Sequence, residues 1–478
     1  MKKYSYLLVL LLTVQLALGC NSDGHDMNSG NYDYDVVIVG GGFSGLTAAY
    51  YLKNKNVLVL EKEKVPGGRC ISGHWNGFHY PKGTEYIGKP DGVLKKVLNK
   101  LGIKAKQIPA PTDGIAYKGQ FYFGNELLDF LSMEEKQQHY KLMLHLQRLN
   151  DDDIEDVIFD DQEYLMDYEK LDQISVKDWM SKQGYSELLQ KFVDIENRGL
   201  FGTDNANYSM FFNIPEMAFD LPTVESINES EVYSFEEGMY SVVQVLAKKL
   251  GNSVVNGAYV QQVDVNEDST VKVQYVKDGV SHEVRARSVI MATPAPVTAN
   301  LLGDDFAEEL KETLQKIQYS QYATINFFTK KRMLKETWSV SCIDEGQVVT
   351  LYDATRPQVS NDYTGKSILS VYMAPESAYD HNFNKQSDAV LLANAYQTLV
   401  KHYPNFKQEV IDYDINRFEY AFPIFSPLYA PKLDLLLKHP DTKGPVFLAG
   451  DYMVYATVDG ALTSAINAAK NVKKYLKQ

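Results

Sequence analysis

Apolar positions in this chain bunch first and alternate later. Tyr34–Val39 is an apolar, β-branched run, the pattern of a strand buried on both faces. It leads into Gly40-Gly41-Gly42-Phe43-Ser44-Gly45, then an apolar helical stretch over 46–52. Residues 56–61 predict a second strand that ends on an acid, Glu61. Farther on, 260–265, 271–276 and 284–287 predict short strands with alternating residues. Residues 288–293 predict a buried strand halted by Pro294, which cannot donate a ladder hydrogen bond. Residues 446–451 form another strand ending in Gly450-Asp451, followed by a helix that opens at Val458-Asp459-Gly460-Ala461.

Between these segments lie two long insertions. The first, 88–233, predicts mainly polar helices: one over 132–149, another opened by Ser175 as N-cap with Asp178 in its first turn. The second, 296–444, mixes strands over 323–328 and 367–373 with a helix near 388–403. No internal repeat is evident.

The N-terminus differs in kind. Lys2 and Lys3 precede a short apolar run to Leu18, then Gly19 and Cys20, which reads as an export signal. Cys20 stands where bacterial lipoprotein signals, which this segment resembles, place an acylated cysteine. The competing reading is an ordinary cleaved signal with a cysteine nearby. Residues 1–20 are thus expected to be a lipoprotein-type signal and 21–33 a polar tether, giving an exported bacterial protein anchored to a membrane through Cys20. That leaves Cys70 and Cys342, too few for a disulfide framework and without metal-ligand spacing. The acidic stretch 151–156 lacks the spacing of a calcium loop and reads as solvated, so no metal is expected.

With 478 residues, 45% of them hydrophobic, the chain has room for two or more domains. A net charge of -14 argues against a nucleic-acid partner, whose phosphates demand clustered Lys and Arg.

The glycine segment carries the first readable chemistry. Gly40 permits a tight turn, Gly42 lets the backbone approach a pyrophosphate, and Gly45 lets the helix pack closely on the strand. The helix start offers N–H groups and partial positive charge to phosphate, and Glu61 is spaced to accept a ribose hydroxyl. This identifies a dinucleotide site without choosing between nicotinamide and flavin.

The choice comes from Gly67-Gly68-Arg69, a few residues past Glu61 and Lys62. Here the chain resembles the FAD-dependent superfamily of flavin amine oxidases, protoporphyrinogen oxidase and phytoene desaturases. In that family such a segment crosses the cofactor pyrophosphate, a role suited to two glycines and a guanidinium fork. The resemblance continues through Gly83-Thr84-Glu85-Tyr86-Ile87, expected beside the flavin ring, and 234–241, the re-entry into the cofactor domain. It extends to Val263 at the adenine side, and to Gly450, Asp451, Val458 and Ala461 at the flavin end. It implies an α/β fold: a Rossmann-type FAD-binding domain from 34–87, 234–295 and 445–478, with a discontinuous substrate domain of mixed sheet plus helices from 88–233 and 296–444. The implied cofactor contacts are Gly40, Gly42, Phe43, Ser44, Gly45, Glu61, Lys62, Gly67, Gly68, Arg69, Gly83, Thr84, Glu85, Val263, Gly450, Asp451, Val458 and Ala461.

The resemblance implies an oxidoreductase acting on a small organic substrate, an amine or a C–C or C–H bond of a lipid or ring compound, with hydride transfer to flavin N5. Oxygen or a quinone would be the electron acceptor. Two departures matter. No lysine stands in the strand where amine oxidases often keep one, Lys316 preceding it by several residues. No cysteine lies near 452–455 to attach the flavin, so non-covalent FAD is expected. Arg417-Phe418-Glu419-Tyr420-Ala421-Phe422-Pro423 resembles a stretch bordering the active site, with Phe418 in place of the usual Trp. Tyr420 and Tyr455 are candidates for an aromatic wall over the flavin, core packing being the alternative, and Glu85 is a candidate for orienting a polar or cationic substrate. Two other functions compete: a non-catalytic escort protein on this fold, and a redox-neutral FAD-dependent isomerase.

Overall fold

The computed structural model describes residues 32–150, 154–221 and 231–477. The signal ending at Cys20 and nearly all of the tether lie outside them, as does half of the acidic stretch. No helix among the described residues is long and apolar enough to cross a membrane.

A seven-stranded sheet is organised around Tyr34–Val39. Its parallel part runs Val254–Asn256, Val57–Glu61, Tyr34–Val39, Val280–Met291, Val446–Leu448. Side chains of the first strand alternate between two cores. Val36 and Ile38 join Leu46 and Ala49 of the helix Phe43–Tyr51 and Leu462 and Ala465 of the helix Val458–Tyr475. Val37 and Val39 join Val260, Val263 and Val273 on the other side. Burial on both faces explains why the sequence shows a run here rather than alternation.

Val280–Met291 is one continuous strand of 12 residues, not the two predicted. Nothing between Arg287 and Ser288 breaks it, so it serves two neighbourhoods. Its first half pairs antiparallel with Val271–Lys277, which pairs with Ala258–Val265. Its last residues pair in parallel with Tyr34–Val39 and Val446–Leu448.

The second sheet orders Val410–Pro423, Tyr319–Thr329, Ser367–Met373, Val348–Asp353, Ser339–Cys342, Gly114–Tyr117 and Gln120–Phe123. Its last two strands come from the first insertion, predicted to be mainly helical; there the helices Met133–Asn150, Val176–Gln183 and Glu187–Phe201 do form. Ser175 caps the second of these, its Oγ accepting the Asp178 N–H at 3.1 Å.

Ala323, Ile325, Phe327, Leu369 and Val371 pack on Leu391, Ala395 and Leu399 of the helix Asp388–His402. The intervening residues bond to another part of the chain. Thr324 donates to the Lys82 carbonyl at 2.7 Å, Asn326 to the Pro81 carbonyl at 3.1 Å, and Tyr372 to the Gly83 carbonyl at 2.5 Å. The polar face of this sheet is therefore fastened over the segment that follows Arg69. Cys70 and Cys342 are both buried and free.

Candidate functional site

Four stretches distant in sequence meet beyond the end of Tyr34–Val39. Gly40 has φ 107°, and a side chain there would meet the Ala292 carbonyl at 2.6 Å. A Cβ on Gly45 would lie 2.0 Å from the Gly40 carbonyl oxygen, so only glycine lets the helix start this close. Gly42 is the contrast: nothing lies within 4 Å of where its Cβ would begin. That glycine faces open space.

Around this opening the other glycines and charges collect. The Gly67 N–H donates to the Gly41 carbonyl at 2.9 Å, and a Cβ on Gly68 would sit 3.4 Å from Gly42 Cα. Arg69 donates from one nitrogen to both the Ala421 carbonyl at 2.6 Å and Asp451 Oδ2 at 2.7 Å. The Arg69 carbonyl accepts the Thr84 N–H at 3.0 Å, and a Cβ on Gly83 would meet that same carbonyl at 2.4 Å. Gly450, with φ 149°, anchors the Asp451 turn by donating to Ser464 Oγ at 3.0 Å. Thr457 then caps the last helix by accepting the Gly460 N–H at 3.1 Å. Ser44 donates to the Ala461 carbonyl at 3.1 Å, stitching the first helix to this last one.

Glu61 is buried, and its two oxygens accept N–H groups from Gly41 at 2.6 Å and Glu63 at 2.8 Å. Burial raises its carboxyl above the usual range against those two bonds. Gly41 escaped the sequence reading, although a Cβ there would sit 2.8 Å from Glu61 Cβ. The Ala421 carbonyl also escaped it, because a backbone acceptor leaves no mark on residue identity.

This arrangement fits a dinucleotide. The groove floor at Gly42 is open where its flanking glycines are filled, a cation is fixed by Asp451, and a buried acid stands at the end of the neighbouring strand. Gly42, Gly67, Gly68 and Arg69 would hold the pyrophosphate, Glu61 the adenosine ribose, and the 457–461 helix start the flavin end.

Four other expected residues are placed as follows. Lys62 is exposed and pairs with Glu63 at 3.7 Å. The Phe43 side chain lies in the core beneath the helix. Val263 accepts the Gly303 N–H at 2.9 Å through its carbonyl, and its side chain is fully buried. Tyr455 does not form a wall. It is 1% exposed, packs against Phe159, Phe201 and Phe425, and donates to the Phe212 carbonyl at 2.7 Å. Pro215 interrupts that helix, Met210–Asp220, and hydroxyls of Tyr208 and Tyr455 serve the nearby Phe212 carbonyl. Lys316 pairs with Glu312 on the surface. Tyr420 is half-buried beside Ala421, edge-to-face with Tyr319 at 5.6 Å, and Val458 packs partly buried at the helix start.

Glu85 is the carboxyl that stands out. It is 8% exposed, and Tyr372 Oη lies 3.1 Å from its Oε2. Burial pushes it up to about 8, opposed by the Tyr372 hydroxyl and assisted by the nearby Asp353 charge. Rings gather beside it: Tyr372 meets Tyr352 at 4.9 Å and Tyr322 at 5.9 Å, Tyr352 meets Trp338 at 4.9 Å, and Trp338 meets Tyr86 at 5.2 Å. Asp353 itself is matched by Arg332, whose Nε lies 2.5 Å from Oδ2, both side chains being 1% exposed. Tyr372 had no sequence signal, since only strand pairing brings it to residue 85.

Comparison with known proteins adds the last observation. The family model described as flavin containing amine oxidoreductase matches residues 43–473. A Dictyostelium discoideum protein named "Probable flavin-containing monoamine oxidase A" is 23% identical over 337 residues, covering 67% of this chain and 71% of that one. The L-amino-acid oxidase of Daboia russelii is 22% identical over 475 residues, covering 92% and 89%. Among solved structures, cyclohexylamine oxidase from Brevibacterium oxydans superposes with a TM-score of 0.74 at 18% identity, over 93% of this chain and all of that one, a likeness of fold.

Proposed function

Because the chain belongs to the flavin-containing amine oxidoreductase family, we propose that this FAD-dependent oxidoreductase acts on a small organic amine oriented by Glu85. The observation that carries this choice is Glu85, a buried carboxyl set among rings rather than paired with a cation. A polyene or other hydrocarbon would leave that carboxyl with the Tyr372 hydroxyl alone, whereas an amine supplies both N–H donors and charge. The missing strand lysine is no obstacle, since orientation of the substrate rather than a dedicated base is what the protein must contribute.

Bound in its cradle, FAD supplies the two-electron acceptor for a hydride equivalent from the carbon next to nitrogen. The chain's own residues do the rest. Arg69, fixed by Asp451 and the Ala421 carbonyl, would neutralise phosphate charge, and the tethering of Tyr372 and Thr324 to the 82–83 backbone holds the substrate face in register with it. Oxygen or a quinone would regenerate the enzyme. The escort-protein reading does not survive, for the family is one of oxidoreductases and the cradle is whole.

The test is anaerobic mixing of the FAD-loaded protein with panels of amines, lipids and tetrapyrroles, following loss of absorbance near 450 nm. Amines are expected to bleach it; bleaching by neutral lipids or tetrapyrroles alone refutes the amine assignment. Turnover of any substrate without an acceptor points instead to isomerisation.

A further inference from the structure

We propose that the end of the cofactor domain where four helices finish is a docking surface for an anionic phospholipid bilayer. This surface owes nothing to the amine reading, so the two stand or fall separately.

Charge is divided unevenly along the chain. Its formal net charge is -14, yet residues 43–56, 91–107, 236–250 and 458–477 carry thirteen lysines against four acids. These segments hold the helices Phe43–Tyr51, Gly92–Leu101, Tyr240–Leu250 and Val458–Tyr475, which share one apolar core on the same face of the first sheet. They are far apart in sequence, so the basic layer exists only in the folded chain. Within it the signs separate. All four acids stand at helix starts: Asp91 before one helix, Glu236 and Glu237 before another, and Asp459 in the first turn of the last. Exposed lysines gather at the finishes: Lys53, Lys100, Lys248 with Lys249, and Lys474 with Lys477.

The four finishes lie on one side. Phe43–Tyr51 follows Tyr34–Val39 and Val458–Tyr475 follows Val446–Leu448, strands made parallel through Val280–Met291, so both helices run back to where those strands begin. Tyr240–Leu250 leads into Val254–Asn256, parallel to Val57–Glu61, and so finishes there too. Gly92–Leu101 is tied to the same end: the Tyr50 hydroxyl donates to the Lys100 carbonyl at 3.5 Å, and Lys100 Nζ lies 4.5 Å from the Tyr51 ring centre. One cation in the last turn complements each helix dipole, which leaves the remaining lysines unexplained. Among the described residues no Asp or Glu forms an ion pair with any of these six, although both nearby arginines are matched, Arg285 to Asp268 at 3.3 Å and Arg287 to Asp35 at 3.7 Å. The chain also enters here. The Arg287 guanidinium carbon lies 5.8 Å from the ring centre of Tyr32, the first described residue, and Arg287 Nη2 donates to the Leu476 carbonyl at 3.1 Å. Residues 1–31, with the signal expected to end at Cys20, therefore join the body beside Lys474 and Lys477. Unpaired lysines grouped at one end suit the headgroup phosphates of an anionic bilayer, and an anchor on that side would present them to it. The cofactor groove, at the opposite end of the same strands, stays open.

The experiment uses the FAD-loaded full chain carrying Cys20→Ser, so that no acyl group is present, and phosphatidylcholine vesicles with or without about one-third phosphatidylglycerol. Residues 1–31 are common to every sample, so partition is read as the ratio between the two kinds of vesicle. The parent is expected to favour the anionic vesicles at least about tenfold in about 0.05 M salt and to lose most of that preference in about 0.5 M salt. Lys248→Gln, Lys249→Gln, Lys474→Gln and Lys477→Gln together should cut the ratio at least about fivefold. The same change at Lys170, Lys182, Lys366 and Lys385, exposed lysines of the substrate domain, should leave it intact. FAD content and urea midpoints check that both variants are folded. Bound protein should keep its FAD, because contact is made away from the groove. No preference for anionic vesicles, a preference undiminished by salt, equal ratios in the two variants, or FAD released on binding overturns the proposal. So does binding to duplex DNA or an acidic polypeptide with none to vesicles. The lipid and salt comparison needs only the parent.

Discussion

Replacing Glu85 by Gln removes one titration from the protein while keeping its shape, so its effect on stability is a pH curve rather than a number. The carboxyl is lifted from its ordinary 4.5 to about 8, chiefly by burial. Between those values the folded protein holds a proton that the unfolded chain has already released. By linkage, stability then falls as pH rises through that window and is level on either side. At 1.36 kcal/mol per tenfold difference in proton affinity, the wild type loses on the order of 4 kcal/mol between pH 4.5 and 8 through this group alone. A glutamine does not titrate, and its amide can still meet Tyr372. The FAD-free proteins should therefore coincide within about 0.5 kcal/mol at pH 4.5, with the variant the more stable by about 3–5 kcal/mol at pH 8.5. Urea midpoints measured across the range report this as a difference between two curves, which cancels every other titrating group. Parallel curves would refute the assignment, and so would a wild type that gains on the variant as pH rises.

Three further outcomes test the rest of the picture. Gly42→Ala meets nothing within 4 Å at an ordinary φ of -72°, so the FAD-free protein should keep its stability within about 0.5 kcal/mol while FAD affinity falls at least about tenfold. Gly45→Ala, 2.0 Å from a backbone oxygen, should instead cost about 3 kcal/mol in urea melts, and a Gly42→Ala protein that binds FAD normally would move the cofactor elsewhere. At the N-terminus we propose acylation of Cys20, supported by the basic start, short apolar run and small residues before it. Labelled palmitate should enter the protein and be lost in Cys20→Ser, and a mature chain found free of lipid in the soluble fraction refutes it.

What could be read before folding, and what could not, divides along a physical line. The Gly40–Gly45 turn, Glu61, Gly67-Gly68-Arg69 and Gly450-Asp451 were legible because a pyrophosphate groove is made largely of backbone, and backbone that must come close permits little but glycine. Such constraints are local, so they survive as spelling. Tyr34–Val39 was legible for a similar reason, since a strand with two buried faces shows a continuous apolar run, here Val36 to Val39. Val280–Met291 was misread as two strands because its change of partners depends on neighbours rather than on its own residues. Whether Tyr455 was wall or core stayed open for the same cause: Phe212, whose carbonyl it bonds, is a distant contact that no spacing announces. The Glu85–Tyr372 pair is the extreme case, 287 positions apart and joined only because Ser367–Met373 pairs with Tyr319–Thr329, whose Thr324 ties the sheet to Lys82. The cofactor half of the site is thus encoded by what the backbone must avoid, and the substrate half by which strands lie side by side. A specificity set in the second way can change with one side chain on either strand without disturbing the first. It follows that sequence likeness in the glycine segments speaks to FAD, while the question of what is oxidised has to be put to residues such as Glu85 and Tyr372.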